Sequence, residues 1–111
     1  MMAADAAPVR IAFAIHNHQP VGNFDAIFSE ATDRAYRPFL DALARHPGVR
    51  LSMHWSGSLL EWLEAREPAL LDQLGGLAAR GQIELLSGAF YEPILAAIPP
   101  WDQQEIGRAH V

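Results

Sequence analysis

The 111-residue sequence contains no cysteine, and no stretch of it is both long enough and apolar enough to span a membrane. Without cysteine, disulfide bonds and thiolate metal sites are excluded, and a reducing cytoplasm fits the composition. A transmembrane helix needs about 18 or more consecutive apolar residues, so we expect no membrane partner. The short, acidic segment 1–7 has neither the basic nor the apolar region of a signal peptide. We therefore predict a cytoplasmic protein.

Positive charge is also scarce, because 8 lysine and arginine residues stand against 13 aspartate and glutamate residues, for a formal net charge of −5. With no basic stripe in the sequence, we expect no nucleic-acid partner and no anionic membrane surface as a partner. Hydrophobic residues, in contrast, make up 50% of the chain, which is enough for a buried core. The length suits one small domain or a part of a larger one.

Three short apolar segments, each followed by polar or turn-forming residues, are predicted to be strands. They comprise residues 9–15, 49–54 and 82–86. Apolar residues between them recur at helical spacing, so each connection is predicted to be helical. Connections of this kind suit right-handed crossovers between parallel strands. The predicted fold class is therefore α/β with a parallel sheet, and three strands with bare edges make the pattern look unfinished.

Local signals predict where the helices begin and end. Pro38, within the first connection, predicts a kink or a break between two helices. Ser58 and Glu61 form a capping-box pattern at the start of the next helix. Pro68 suits the first turn of a further helix, and Gly81 ends that helix in the way that helices commonly end.

Polar and aromatic residues follow each predicted strand, where parallel α/β folds gather their ligand-binding groups. The first strand leads into residues 16–20, the second leads into residues 54–57, and the third carries Glu84 and leads into residues 90–93. His16 and His18 lie two residues apart and point the same way in an extended chain. They could bind a divalent metal ion, contact a sugar or cap the structure. Because the sequence offers no other clear set of metal ligands, sugar contact is favoured.

Glu84 alternates with Ile83 and Leu85, so we predict that it faces away from the helices, on the side of the sheet that carries His16. Such a carboxylate is either exposed to solvent or paired with His16 or His18, because burying an isolated charge is costly. Retaining glycoside chemistry needs two carboxyl groups about 5–5.5 Å apart. Glu84 and Glu92 are separated by too much extended chain to serve as that pair.

These motifs, in this order, resemble the N-terminal region of glycoside hydrolase family 57, especially its 4-α-glucanotransferase and α-amylase branch. The matching segments are His-Asn-His-Gln-Pro-Val-Gly-Asn-Phe at 16–24, Tyr-Arg-Pro-Phe-Leu at 36–40, His-Trp-Ser-Gly at 54–57, Gly-Gln-Ile-Glu-Leu at 81–85 and Phe-Tyr-Glu-Pro-Ile-Leu at 90–95. The similarity covers roughly residues 9–104. Several ordered motifs at matching spacing make the resemblance specific.

The resemblance implies a parallel (β/α)7 barrel, retaining chemistry on α-glucans such as maltooligosaccharides, and neither a required metal nor a cofactor. This chain would supply the first three strands and helices of an incomplete barrel. We predict that six residues bind the substrate: His16, His18, Gln19, Glu84, Tyr91 and Glu92. The glutamate nucleophile and the aspartate acid/base of the family would lie beyond Val111, so we assign no catalytic residue. The chain alone is predicted to be inactive.

The sequence is expected to divide into three segments. Residues 1–8 are predicted to be a disordered extension, and residues 9–104 are predicted to be the N-terminal part of the catalytic barrel. Residues 105–111 are predicted to be a non-native tail. They depart from the amphipathic helix of the family and read as the translation of a widely used sequencing adapter.

Two other functions also fit the residues. A metal-dependent amidohydrolase or polysaccharide deacetylase would use His16 and His18 as ligands, and a stoichiometric ion in a full-length relative would favour it. A small non-catalytic carbohydrate-binding module would unfold cooperatively as an isolated chain. The choice between hydrolysis and transfer, the preferred glucan length and the oligomeric state do not follow from the sequence.

Overall fold

The structure is a computed structural model that describes residues 6–109. Its elements, in chain order, are β1 (Ala14–Asn17), α1 (Asp25–Ala31), a π-helical segment (Thr32–Tyr36), α2 (Arg37–Arg45), β2 (Leu51–Trp55), α3 (Gly57–Arg66), α4 (Pro68–Ala79), β3 (Ile83–Leu86), a 3-10 turn (Leu95–Ala97) and α5 (Pro100–Ala109). Over this described range, no helix has the length and apolar character needed to cross a membrane. The predicted alternation of strands and helices is present.

The three strands form one parallel sheet in the order β1-β2-β3. Pairing places His16 beside His54, and Ser52 beside Glu84. Neighbours in register point to the same side of a sheet, and residues two apart on one strand do so as well. These four polar side chains therefore share one face, as predicted for Glu84 and His16. The α/β class with a parallel sheet is confirmed.

The opposite face of the sheet carries the hydrophobic core. Met53, at the centre of β2, is 1% exposed and packs against leucines of the helices. The buried apolar residues are Phe28, Tyr36, Leu40, Leu43, Leu51, Met53, Trp55, Leu59, Leu63, Leu70, Leu74, Leu77 and Ile83. Each fully buried leucine stabilises the fold by about 1.5–3 kcal/mol relative to an exposed one. The helices thus cover one face and leave the polar face accessible.

The first strand is shorter than predicted, and the prediction that residues 9–15 form a buried strand is wrong in its first part. β1 begins at Ala14, and Val9, Ile11 and Phe13 are exposed. The first cross-strand bond runs from Ser52 N to the Phe13 carbonyl at 2.9 Å. The residues that precede Phe13 lie beyond the first residue of β2. Within the described chain they therefore have no strand to pair with.

Two residues in and before the edge strand β3 also differ from the sequence prediction. Leu85 lies on the helix side of the sheet, as predicted, but it remains half exposed at this edge. Gln82, predicted to be the first strand residue, instead precedes the strand and is 2% exposed. Its Nε2 donates to the carbonyl oxygens of Leu43 at 2.7 Å and His46 at 2.9 Å. Gln82 therefore ties the start of β3 to the end of α2.

Near Pro38 the helix is not broken but passes through a π-helical segment, and the predicted kink stays a prediction. The chain runs from α1 through the π-helical segment into α2, where the Arg37 N–H donates to the Thr32 carbonyl, five residues back. The wider turn lies directly before Pro38, which has no N–H and whose ring crowds the preceding turn of a regular helix. Proline then occupies the first turn of α2, where it is tolerated.

The capping-box prediction at Ser58 is wrong. α3 begins one residue earlier, at Gly57, and the side chain of Ser58 lies inside the first turn. Its hydroxyl donates to the Gln19 carbonyl at 2.6 Å, so it links α3 to the loop after β1. Pro68 does begin α4, and Gly81, with a φ of +79°, follows its end as predicted.

The predicted terminal segments are only partly described. The first five residues of the predicted extension 1–8 and the last two of the predicted tail 105–111 lie outside the described residues. Residues 6–8 are exposed and have no regular secondary structure, and residues 105–109 are the last part of α5. The disordered extension and the non-native origin of the tail stay predictions.

Candidate functional site

The polar face of the sheet brings two histidines together where β1 and β2 end. His16 and His54 are neighbours in register, and their rings are parallel within 1° with centroids 4.9 Å apart. The Nδ1 atoms of the two rings are 2.9 Å apart. Because the strands are parallel and paired, both side chains leave the sheet at the same level. The contact between the rings therefore follows from the register of the two strands.

Glu92, in the loop after β3, completes this group. Its Oε2 lies 3.0 Å from His16 Nε2, and its Oε1 lies 3.1 Å from His54 Nδ1. His18 Nδ1 lies 3.6 Å from Oε2. The Glu92 side chain is 19% exposed, so a mostly buried carboxylate is surrounded by three imidazoles. We refer to His16, His18, His54 and Glu92 as the histidine–glutamate cluster.

Two glycines allow the loop that carries Glu92 to approach the sheet and α3. The Gly57 N–H donates to the Phe90 carbonyl at 3.1 Å, and a Cβ at residue 57 would lie 2.2 Å from the Phe90 ring. A Cβ at Gly88 would lie 2.7 Å from His54 Nε2. Glu92 itself has a φ of 53°. This left-handed conformation costs a non-glycine residue about 1–2 kcal/mol, so the surrounding contacts must hold it.

The polar atoms of the histidine–glutamate cluster do not satisfy one another. Within residues 6–109, Glu92 Oε1 and His18 Nδ1 are buried and make no hydrogen bond of good geometry. Buried polar atoms normally have a partner. A sugar hydroxyl could donate to the carboxylate and accept from an imidazole N–H, and a cation could bind the lone pairs. The cluster is thus suited to a small polar ligand.

Glu84 shares the polar face with the cluster but does not join it. Its Oε2 accepts a hydrogen bond from the Ser52 hydroxyl at 3.3 Å, and the side chain is exposed. Ser52 lies two residues before His54 on β2, so Glu84 and the cluster belong to the same polar surface. The contact between Glu84 and a histidine that the sequence suggested is replaced by a contact with serine.

Gln19 and Tyr91 lie beside the cluster, and the structure gives them different surroundings. The Gln19 amide donates to the Tyr36 hydroxyl at 3.1 Å and accepts from the Asn23 amide at 3.0 Å. These bonds fix the loop after β1 and occupy the side chain. Tyr91 is largely exposed and lines a surface groove of about 420 Å³ together with Trp62.

His54 is the cluster member that sequence reasoning left out of its set of binding residues. A signal was available, because His54 alternates with Ser52 and nearly ends the second strand, as His16 does the first. Trp55, at the same strand end, points the other way. It is 5% exposed and packs edge-to-face on Tyr36, with ring centroids 5.3 Å apart, so it belongs to the core.

The sequence and the fold both match known proteins. Residues 12–111 match the family model described as "Glycosyl hydrolase family 57". The 4-alpha-glucanotransferase of Thermococcus litoralis is 50% identical over 95 residues, which are 86% of this chain and 14% of that protein. The alpha-amylase of Pyrococcus abyssi is 47% identical over 97 residues, which are 87% of this chain and 15% of that protein.

The fold also matches that of a solved structure. The crystal structure of the 4-alpha-glucanotransferase from Thermococcus litoralis matches with a TM-score of 0.81 and 49% sequence identity. The match covers 86% of this chain and 15% of that chain. The chain thus spans 14–15% of the length of these relatives.

Proposed function

The chain belongs to glycosyl hydrolase family 57, and from this membership we propose that it is part of an enzyme that cleaves or transfers α-1,4-glucans with retention of configuration. The relatives named above are a 4-alpha-glucanotransferase and an alpha-amylase, which together span transfer and hydrolysis. Membership of the family favours this function over an amidohydrolase-type enzyme and over a small non-catalytic binding module. A cytoplasmic location stays a prediction.

The observation that carries the proposal is the histidine–glutamate cluster at the strand ends of the polar face. A glucan presents hydroxyl groups that both donate and accept hydrogen bonds. Glu92 Oε1, buried without a good hydrogen bond in the described chain, is an acceptor for one such hydroxyl. His16 is more than half exposed at its side chain, so a sugar can reach the cluster from the open side.

The remaining predicted binding residues would surround the sugar at different distances from this cluster. Glu84, held by Ser52, lies along the same face and would accept a further hydroxyl. Tyr91 would offer its exposed ring for stacking on a sugar in the neighbouring groove. Gln19 would act through the loop after β1, because both ends of its amide are already bonded.

We propose further that the three strands form part of a (β/α)7 barrel whose inner wall is the polar face. In a barrel of this kind the helices pack on one face of a parallel sheet and the functional groups lie at the carboxyl ends of the strands, as the histidine–glutamate cluster does here. The carboxylate nucleophile and the acid/base would then come from parts of the enzyme outside these 111 residues. The isolated chain should accordingly release no sugar from maltooligosaccharides.

Kinetics of single variants in a longer enzyme that contains this segment test the proposal. Glu84→Gln and Glu92→Gln should each lower kcat on maltooligosaccharides severely, because hydrogen bonds around the reacting sugar strengthen in the transition state. Glu64→Gln, an exposed position on α3, serves as the matched control and should leave kcat unchanged. Near-normal turnover of both test variants would remove these residues from the sugar site. Absence of any glucan product from the unmodified enzyme would refute the function.

A further inference from the structure

The histidine–glutamate cluster has a second chemical capacity, which does not rest on the glucan proposal. We propose that His16, His54 and Glu92 form a binding site for a divalent transition-metal ion of the Zn²⁺ type. The resemblance to the family implies no required metal, so this ion is not proposed as a catalytic cofactor. The proposal is a binding site that the fold provides on its polar face.

The donor atoms are already gathered at a spacing close to that of a metal site. One ligand atom from each of the three residues can be chosen so that all lie within 4.8 Å of one another. His54 Nδ1 lies 2.9 Å from His16 Nδ1 and 3.1 Å from Glu92 Oε1. The other nitrogen of His16, Nε2, lies 3.0 Å from the other oxygen of Glu92, Oε2. Ligands of a tetrahedral Zn²⁺ with bonds of about 2.0–2.1 Å lie about 3.3 Å apart. Because one donor atom from each residue is held only within 4.8 Å of the others, a rotation of the His16 ring or of the Glu92 carboxylate would bring the three atoms to this spacing and admit the ion.

Proton counting shows why a cation suits this group better than hydrogen bonds among its members. His54 Nδ1 faces both His16 Nδ1 and Glu92 Oε1, and it can carry one proton at most. If the His54 Nδ1–H donates to one of these two atoms, the contact with the other atom has no proton between its partners. If His16 Nδ1 carries the proton and donates it to His54 Nδ1, the unprotonated His54 Nδ1 faces the carboxylate. A divalent cation attracts all three groups at once.

The site is preorganised by the backbone as well as by the side chains. His16 and His54 are fixed by strand register, and Gly88 leaves the space that the His54 ring occupies. Glu92 is held in a left-handed conformation that points its carboxylate at the rings. His18, 3.6 Å from that carboxylate, is placed to orient it, as groups around metal ligands commonly do.

The chemistry of the donors selects the class of ion. Two imidazoles and one carboxylate suit Zn²⁺ and its first-row neighbours, whereas Mg²⁺ and Ca²⁺ prefer sites made of oxygen atoms. Three protein ligands leave the fourth tetrahedral position open. The 58% exposure of the His16 side chain leaves the cluster open to solvent on that side, from which a fourth ligand could enter.

Titration of the 111-residue chain with Zn²⁺ by calorimetry, and with Co²⁺ by visible absorption, tests the site. We expect saturable binding of one ion per chain, with the absorption bands of tetrahedral Co²⁺, and no binding of Mg²⁺. His54→Ala and Glu92→Gln should each weaken Zn²⁺ binding at least about tenfold. His46→Ala is the matched control, because His46 lies at the end of α2 and bonds the Ala42 carbonyl. This variant should bind like the parent chain, as should a chain without residues 107–111, which include His110.

Circular dichroism of each variant separates loss of the site from loss of the fold. His16→Gln, on the exposed edge strand, is the second test variant if His54→Ala does not fold. The proposal is overturned if the folded chain binds no Zn²⁺, or if the folded cluster variants bind it as tightly as the parent chain. Because no sugar is present, either result leaves the glucan proposal untouched.

Discussion

Replacing Gln82 with alanine should destabilise the fold, because this side chain is the polar link between the start of β3 and the end of α2. Gln82 is 2% exposed. Its amide nitrogen donates to the carbonyl oxygens of Leu43 and His46, and its amide oxygen accepts from the Arg80 guanidinium at 2.8 Å. Alanine removes all of these bonds at once and leaves space where the amide was.

The size of the loss in stability depends on which hydrogen bonds the two carbonyl groups retain in the variant. The Leu43 carbonyl also accepts from the His46 N–H, and the His46 carbonyl also accepts from the Val49 N–H. Neither carbonyl is left without a partner, so the full desolvation cost does not apply. Two neutral hydrogen bonds contribute about 1 kcal/mol each, and the lost packing adds to them. We expect the free energy of unfolding to fall by about 2–3 kcal/mol.

Urea denaturation followed by tryptophan fluorescence, to which the buried Trp55 contributes, would measure this change at low micromolar concentration. Gln73→Ala is the matched control, because Gln73 also links two helices but makes one bond, to Asp41, at a partly exposed site. It should cost less than about 1 kcal/mol. Gln82→Glu should be at least as damaging as Gln82→Ala, because a buried carboxylate cannot donate to two carbonyls. Equal stability of the Gln82→Ala and Gln73→Ala variants would refute the reasoning.

Three further changes have clear expected results. Gly88→Ala places a methyl group 2.7 Å from His54 Nε2, so calorimetry should show at least about tenfold weaker Zn²⁺ binding; unchanged affinity would mean that His54 does not need this space. Deletion of residues 107–111 should change the free energy of unfolding in urea by less than about 1 kcal/mol, and a larger loss would contradict the prediction of a non-native tail. The isolated chain should self-associate in size-exclusion chromatography, because Val9, Ile11 and Phe13 are exposed beside an open sheet edge; a monodisperse monomer with a sharp melting transition would argue against this.

The α/β class was predictable because strand and helix periodicities alternate along the chain, and each is a local property. The boundaries depended on contacts that no local pattern contains. β1 begins at Ala14 because the first hydrogen bond to β2 is the one that the Phe13 carbonyl accepts from Ser52 N–H. The start of the strand thus depends on a residue some 40 positions away in the sequence. α3 begins at Gly57, before the apparent cap at Ser58, because the Gly57 N–H already has the Phe90 carbonyl as its partner.

The sequence predicted most residues of the candidate site from their positions at strand ends, but it predicted few of the contacts between them. His16, His18 and Glu92 come together as residues at the carboxyl ends of strands of a parallel sheet are expected to do. The position of His54 near the end of the second strand was visible in the sequence, but its contact with His16 depends on the register of two strands, which one sequence does not specify. Gln19 carries the right functional group, but the bonds to Tyr36 and Asn23 that occupy it are visible only in the folded chain.

The backbone of Glu92 would set the stability of the fold against the proposed ligand binding at a single position. Its φ of 53° belongs to a region that glycine occupies freely and that asparagine and aspartate tolerate better than glutamate does. Selection for a robust fold alone would therefore replace this glutamate, and the replacement would remove the carboxylate from the three imidazoles. A directed-evolution experiment that rewards only thermal tolerance should drift toward glycine here, whereas one that rewards ligand binding should retain glutamate despite its conformational cost.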